Sequence, residues 1–478
     1  MPAEAADTAG SSRGDGTGNR LVLVVTFDFP PSLEVGAHAC SQLASYLPDY
    51  GWKPVVLTVR ERYVTNPDPK LHSRFPGDVS GRAFPGEIVR TGMLPHPLDL
   101  WSRLRPKSRT AADRTASAGA AAAPPGRARR WLLSLLKTPD VCTGWLPVAV
   151  VRGIREVQRR NIRHIVSSAP HWTNHLVALC IATATRRPWT AHFRDPWMGI
   201  PQWKPVSRVS MAIEAWMERS VVEHATNVVC VTEQHAALLR QRYPSLPTGK
   251  LVTIPNGFDE GEWEHLRAPR APTTDPRAFV VTYAGSFYQA RNPRPLFEAF
   301  RQLIAAGDVD EKTVRIDLIG WCDVAEGALV KEAARKAGLE SAVHFAGALS
   351  RDETLPRLLE SDLLLLLAEA QPYQIPGKTY EYLRAGRPIL ALTGPGAVAQ
   401  LLSGVPGAHV VIPEDIDAVA TAVREVYRHW RDGGTGPVPS SSFIRQFDRR
   451  RLAGRLAEVI DDDRSVAALP PRSPVAPS

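Results

Sequence analysis

Cysteine is scarce in this 478-residue chain: Cys40, Cys142, Cys180, Cys230 and Cys322 are scattered, odd in number, and nowhere spaced as metal ligands or a redox pair. That excludes a disulfide scaffold and a cysteine-built zinc site, and it implies free thiols in a reducing cytoplasm. No uninterrupted apolar run approaches the roughly 18 residues of a membrane span, so no segment is expected to cross a bilayer. The first residues, 1–20, lack the apolar core of a secretory signal; small, polar and glycine-rich, they read as a disordered leader. Dispersed charge of one sign is also missing. The net charge is +9, but Arg103 to Arg130 hold eight Lys and Arg against Asp113, which is +7 of that total. With no zinc-finger or RNP signature and no basic stripe over the folded parts, a nucleic-acid partner is not expected.

What is present is enough for two lobes. A chain of this length suits two domains of about 200 residues each with tails and a connector, and 44% hydrophobic with 22% charged residues is ordinary globular composition. Leu21 to Val25 (LVLVV) is wholly apolar, as a strand covered on both faces must be, and the loop TFDFPPSLEVGA follows it. Cys40, Leu43, Ala44 and Leu47 then recur at helical spacing, and Pro54 to Val59 reads as the next strand. Apolar runs at Ile162 to Val166, Pro188 to Phe193, Val228 to Val231 and Leu251 to Ile254 continue the series, with helical patterns such as His175 to Thr183 and Met211 to His224 between them. A second series has strands at Phe279 to Tyr283, Val314 to Ile319, Val343 to Phe345, Leu363 to Leu367, Pro388 to Leu392 and His409 to Val411. Strand and helix in alternation predict an α/β fold of two Rossmann-like, doubly wound parallel-sheet domains facing a cleft. The boundaries implied are 21–258 for the first domain, with 105–130 a flexible basic insertion, and 277–438 for the second. Residues 439–460 form a C-terminal helix expected to pack back on the first domain, and 461–478 a disordered tail.

Ligands of open parallel sheets bind beyond the carboxyl ends of the strands, so four loops matter. In Phe29 to Ala37, Gly36 opens a helix and lets a phosphate or sugar approach backbone N–H groups; a plain turn fits equally. In Gln371 to Leu392 (QPYQIPGKTYEYLRAGRPILAL), Pro376 and Gly377 precede a short helix with Lys378 in its first turn and Glu381 about one turn later. A diphosphate calls for that cation and the free N–H groups, and a ribose diol for that carboxylate; the plain alternative is an exposed ion pair. In AGSFYQARNPRP, Gly285, Ser286, Arg291 and Arg294 can hold a phosphate or simply be solvated. In FRDPWMG, Asp195 can orient an acceptor hydroxyl or act as a base and Trp197 can stack on a sugar, or the two can form an Asp-Pro turn over a buried tryptophan. His171 and His175, in SSAPHWTNH, are further candidates against packing or capping roles.

Taken in order, FPP with EVGA, PWTAHFRDPW, VVCVTE, IPNGFD, VVTYAGSFY and above all PGKTYEYLRAGRPILAL make residues 21–460 resemble the family 4-like glycosyltransferases of the GT-B fold. The resemblance implies a nucleotide-sugar donor held mostly by the second domain, transfer to an acceptor hydroxyl with retention, no metal and no cofactor. By position, Glu381 resembles the second glutamate of the family's paired-glutamate motif, expected on the ribose. Tyr373 stands where the first is usual, Ser286 where an arginine is usual, and Arg291 is the substitute cation; Arg194 and Asp195 stand where many relatives carry a histidine. The catalytic candidates are therefore Asp195, Arg194 and His171, and the donor-binding candidates Gly36, Gly285, Ser286, Arg291, Gly377, Lys378 and Glu381.

Two rival readings share the architecture: a nucleotide-sugar epimerase, and a sugar-nucleotide-binding auxiliary subunit without catalysis, motivated by Tyr373 and Ser286. The acceptor can be a glycan, a lipid-linked molecule or a small molecule. Residues 127–137 (RARRWLLSLLK) mix cations with Trp131 and four leucines, which suits either a helix packed on the first domain or a peripheral contact at the inner face of an anionic membrane.

Overall fold

The computed structural model describes residues 20–64, 67, 84–95, 138–200, 207–266, 278–288, 290–434 and 436–462. The leader 1–19, the basic insertion 105–130, the segment 127–137 and the tail from 463 lie outside the described residues. Two parallel sheets dominate. The first holds β1 (Arg20–Val25), β2 (Trp52–Val59), β3 (Glu87–Thr91), β4 (His164–Ala169), β5 (Trp189–Phe193), β6 (Asn227–Cys230) and β7 (Leu251–Thr253), in the order β3-β2-β1-β4-β5-β6-β7. The second comes from β8 (Phe279–Ala284), β9 (Val314–Ile319), a small hairpin of β10 (Val324–Ala325) and β11 (Ala328–Leu329), β12 (Val343–Gly347), β13 (Leu363–Leu367), β14 (Ile389–Leu392) and β15 (Ala408–Val411). Its order is β12-β9-β8-β13-β14-β15, with the hairpin apart. The expected α/β class with two doubly wound sheets is the class observed.

Side chains alternate across a strand, so a strand sandwiched by helices must be apolar at every position. The run Leu363–Leu367 shows why five leucines are needed: Leu363, Leu365 and Leu367 enter one core, and Leu364 and Leu366 the core on the opposite face. In β1, Leu23 and Val25 join the main core of the first domain while Val22 faces another. Full burial of one such side chain contributes about 2 kcal/mol, so a polar residue at any of these positions weakens one layer.

The helices used below are α1 (Val35–Tyr46), α2 (Leu146–Arg160), α3 (Thr173–Thr185), α4 (Arg208–His224), α5 (Glu233–Arg242), α6 (Arg294–Ala305), α7 (Val330–Lys336), α8 (Arg351–Glu360), α9 (Gly377–Ala385), α10 (Ala397–Leu402), α11 (Ile416–Arg431), α12 (Ser441–Arg445) and α13 (Arg449–Asp461). None is long and apolar enough to cross a membrane. Through Leu452, Ala453, Leu456, Ala457 and Ile460, α13 packs against Val22, Val166, Val229, Leu43 and Leu47 of the first domain. The chain thus crosses between domains twice. The crossings are tied together where Phe258 N–H donates to the Phe447 carbonyl at 3.1 Å and Arg449 N–H to the Phe258 carbonyl at 2.8 Å.

Three element readings needed correction. The edge strand β3 (EIVRT) pairs only with β2 and is half covered, so it shows no apolar run. β4 lies further along than Ile162 to Val166, because Ser167 and Ser168 are buried strand residues rather than loop. The Ser167 hydroxyl is satisfied by His175 Nδ1 at 2.7 Å and by Trp189 Nε1–H at 2.8 Å. α1 begins at Val35, placing Gly36 inside its first turn.

Buried histidines give the first domain a specific acid sensitivity. Burial holds His164, His192 and His235 down to about 3, and His175 well below its ordinary value. Unfolded imidazoles take up protons near pH 6.5, so this stability is full above that pH and is lost as the pH falls toward 3. Urea unfolding should lose about 2 kcal/mol for each such histidine between pH 7 and pH 5. The loss should fall mainly on the first domain, since among the described residues of the second only His409 is held down. Equal loss in both domains contradicts the assignment.

Candidate functional site

A strand order that reverses direction leaves a crevice between the two strands whose crossovers diverge. In the second sheet that switch lies between β8 and β13. The loop after β8 carries Gly285 and Ser286, and the segment after β13 leads into α9 with Gly377, Lys378 and Glu381. Gly285 has φ +135° and no room for a side chain: a Cβ there would lie 2.3 Å from Lys378 Nζ. The missing side chain admits the lysine. Lys378 Nζ sits 4.0 Å from the centroid of the Tyr283 ring and has no hydrogen-bond partner among the described residues. Burial, and then the charge of Arg291, hold its pKa well below the ordinary lysine value. Arg291 is buried with its guanidinium 4.0 Å over the Tyr288 ring and its Nε without a hydrogen-bond partner among the described residues. Ser286 contributes its carbonyl to the Tyr283 hydroxyl at 3.1 Å. Space beside Gly377 is open, and it starts a nine-residue helix whose first N–H groups favour an anion.

The exposed Lys378–Glu381 ion pair is not formed. Glu381 instead accepts from Arg351 at 2.9 Å, Arg351 grips Glu262 at 2.6 Å, and Glu262 meets His38 of α1 at 3.1 Å. Burial works against the Glu262 carboxylate, but the His38 hydrogen bond and the Arg351 charge hold its pKa down to about 2. A charge chain therefore runs from the first-domain helix to the carboxylate on α9.

In the first sheet the switch lies between β1 and β4. His171, after β4, reaches Asp28, after β1, with Nε2 3.0 Å from Oδ2. Burial opposes charge on this ring, yet the hydrogen bond to Asp28 and the fields of Asp140 and Asp28 raise its pKa. Asp28 is buried and its Oδ1 has no hydrogen-bond partner among the described residues. Asp140 and Cys142 also approach His171, but Asp140 is already spent on the Thr173 N–H and hydroxyl at 2.9 and 2.7 Å and on the Cys142 N–H at 2.9 Å.

Several candidates are engaged by their neighbours. Arg194 donates to the carbonyls of Ala169 and Pro170 at 3.2 and 3.0 Å, bracing the turn that carries His171. Its guanidinium also fills the space beside Gly36, where a Cβ would lie 2.4 Å from Nη2, so Gly36 makes room for Arg194. His175 is fully buried, bonded to Ser167, with its ring centroid 4.4 Å from that of Phe193. Trp197 is buried and stacked on Trp172 at 5.0 Å, which leaves it to packing. Arg294, on α6, is exposed.

The two sites face each other across specific contacts. Gln374 donates to Asp195 at 2.5 Å, and the Thr232 hydroxyl to the Tyr373 carbonyl at 2.7 Å. Burial raises the Asp195 pKa against the lowering effects of Arg194 and Gln374. Tyr373, at the departing position of the family motif, thus serves through its backbone. Sequence reasoning passed over Arg449, the first residue of α13. It is buried, its Nε has no hydrogen-bond partner among the described residues, and it lies within electrostatic range of Arg194 in one domain and Tyr380 and Glu381 in the other. Burial, then Arg194, push its pKa down to about 10. Only the unusual RRR start of that helix hinted at it, and surface charge explains such a run as well.

Residues 278–429 match the sequence family described as glycosyl transferases group 1, and residues 113–262 match glycosyltransferase family 4. The chain belongs to the family 4-like glycosyltransferases of group 1. Solved structures agree in fold. The Anabaena protein HepE in complex with UDP and glucose is 14% identical, covers 92% of this chain and 99% of its own, and superposes with a TM-score of 0.60. Sucrose-phosphate synthase from Thermosynechococcus elongatus is 15% identical, with 92% and 98% covered and a TM-score of 0.58. A glycosyltransferase from Rickettsia africae is 11% identical, with 94% and 100% covered and a TM-score of 0.58. No curated protein matches in sequence.

For this glycosyltransferase the Gly285 contact makes a sharp prediction. Gly285→Ala should cost about 1–2 kcal/mol of stability through its positive φ and should push Lys378 off the Tyr283 ring. Thermal unfolding together with the titration of Lys378 followed by NMR checks both; an unchanged Lys378 titration contradicts the contact.

Proposed function

We propose that this glycosyltransferase transfers a sugar from a nucleoside-diphosphate sugar to an acceptor hydroxyl, with retention and without a metal or other cofactor. The observation that carries the reading is that Lys378 and Arg291 lie within electrostatic range of each other and Arg449 lies near Glu381 of the same helix, with Lys378 Nζ and the Nε of both arginines buried and without a hydrogen-bond partner among the described residues. Leaving such groups uncompensated is costly, and a diphosphate offers enough charge and acceptors for all of them. Lys378, Arg291 and the open start of α9 would hold the diphosphate, with Gly285 giving its backbone close approach. Glu381 would take the ribose hydroxyls by exchanging part of its bond to Arg351. As the bond from the sugar C1 to the phosphate oxygen breaks, negative charge grows on the leaving group, and the fixed cations stabilise it without reorganising. That is the charge-neutralising part a divalent metal plays elsewhere.

The acceptor enters from the first domain. Asp28 keeps a proton on His171 Nε2 and leaves Nδ1 able to accept a hydrogen bond from the attacking hydroxyl. Retention follows from the family resemblance: attack comes from the face the phosphate leaves, His171 Nδ1 takes the hydroxyl proton, and the electron pair of the breaking C1–O bond leaves with the diphosphate. Asp195, held by Gln374, closes the donor side against the acceptor side.

Lys378→Met or Arg291→Met should lower kcat/KM for the donor by about 10²–10³-fold, corresponding to about 3–4 kcal/mol. EDTA should leave the rate unchanged, and proton NMR of the product should show the donor's anomeric configuration. Full activity in the double variant sinks the assignment. Epimerisation of the donor without acceptor, or binding without turnover, establishes the rival epimerase or auxiliary reading.

Because His171 must be neutral to accept the hydroxyl proton's hydrogen bond, activity should rise with pH through a value above the ordinary 6.5. Asp28→Asn should move that limb to lower pH, since the anion that raises the imidazole pKa is gone. A limb that stays in place contradicts the dyad.

A further inference from the structure

A second cationic site lies on the acceptor side, away from the residues assigned to the donor. A cavity of about 450 Å³ is lined by Arg60, Arg90, Arg152 and Arg155 together with Thr91, Val148 and Val151. Arg60 follows β2, Arg90 and Thr91 end β3, and the others come from the first turns of α2. All strands of this sheet run parallel, so the cavity opens on the same rim as Asp28 and His171, two to three strand spacings, or roughly 10–15 Å, from β4. Arg90 ties the two places together: it donates to the Pro30 carbonyl at 2.7 Å, in the loop that carries Asp28, and to the Val59 carbonyl at 3.3 Å.

The charge there is not balanced. Arg90 stands 3.4 Å from Glu61 and Arg152 2.8 Å from Glu156. Glu156 is also claimed by Arg159 at 3.1 Å and Arg160 at 2.6 Å. Arg60 and Arg155 are exposed and make no ion pair among the described residues. Arginines along one cavity, two of them without an ion pair among the described residues, offer fixed forks of donors that fit the oxygens of a phosphate better than any neutral group. Val151, 52% exposed on one wall, gives an apolar surface for the organic part that carries the anion.

We infer that this cavity binds a phosphate or diphosphate carried by the acceptor, so that the enzyme glycosylates a phosphorylated acceptor rather than a neutral one. The inference rests on the assignment of the first domain's rim to the acceptor, and the test separates the two. Titration calorimetry of the full chain with inorganic pyrophosphate should show two sites. Arg60→Ser with Arg155→Ser should remove or weaken one at least tenfold, and Lys378→Met the other. In transfer assays the Arg60/Arg155 pair should raise the acceptor KM at least tenfold with kcat and donor KM unchanged. That effect should appear with a soluble sugar phosphate, or with a diphosphate-linked lipid in neutral phosphatidylcholine vesicles, and whichever shows it identifies the source. Pyrophosphate binding and acceptor KM identical to the unsubstituted enzyme in the pair variant overturn the inference. Loss of only the pair-dependent site leaves it standing even if Lys378→Met has no effect, an outcome that overturns the donor assignment instead.

Discussion

Buried nitrogens of cationic side chains without a hydrogen-bond partner among the described residues are the constraint on which the rest of this structure depends. Lys378 Nζ is buried against the Tyr283 ring, and Arg291 and Arg449 are buried with an Nε that has no hydrogen-bond partner among the described residues. In a reduced dielectric such charges cost several kcal/mol each unless an anion or a hydrogen-bond network answers them. The fold instead keeps the nearby carboxylate, Glu381, engaged with Arg351, which itself is held by Glu262. The cations are therefore reserved, and their instability in the free protein is the source of affinity and of transition-state stabilisation when a diphosphate arrives.

The architecture delivers these groups economically. Each sheet has a single reversal of strand order, and each reversal places the chemistry-bearing loops at the rim facing the other domain. The C-terminal helix adds a third source. Because α13 packs on the first domain while its first residue lies near Tyr380 and Glu381 of the second, Arg449 couples both lobes to whatever anion lies between them. The His38–Glu262–Arg351–Glu381 chain does the same from the other side, so movement of one lobe on the other changes the surroundings of the carboxylate meant for the ribose.

Much of the fold was legible because both sheets are covered on both faces, which forces continuous apolar runs such as Leu363–Leu367. β3 escaped that logic as a half-covered edge strand, and the end of β4 did so because its serines are buried against His175 and Trp189. Lys378 could be placed at a helix start from the PGK turn, but its depth could not, since burial depends on Gly285 and Tyr283 roughly a hundred residues away. Asp28 and Arg449 were invisible for the same reason. The meaning of Asp28 comes from His171 across the β1–β4 reversal, and that of Arg449 from a second crossing between domains. Gly36 and Arg194, read as ligand-binding and catalytic, turn out to pack on each other, a pairing no local pattern encodes.

Proton linkage tests the central claim most directly. Because burial holds the Lys378 pKa down, binding a nucleoside diphosphate must raise it and draw a proton from solution. Calorimetric titration with UDP between pH 8 and pH 9.5, in buffers of different ionisation enthalpy, reads that uptake after the nucleotide's own phosphates are fully ionised. The account predicts net proton uptake that disappears in Lys378→Met. Binding with no proton exchange, or with the same exchange in that variant, contradicts it.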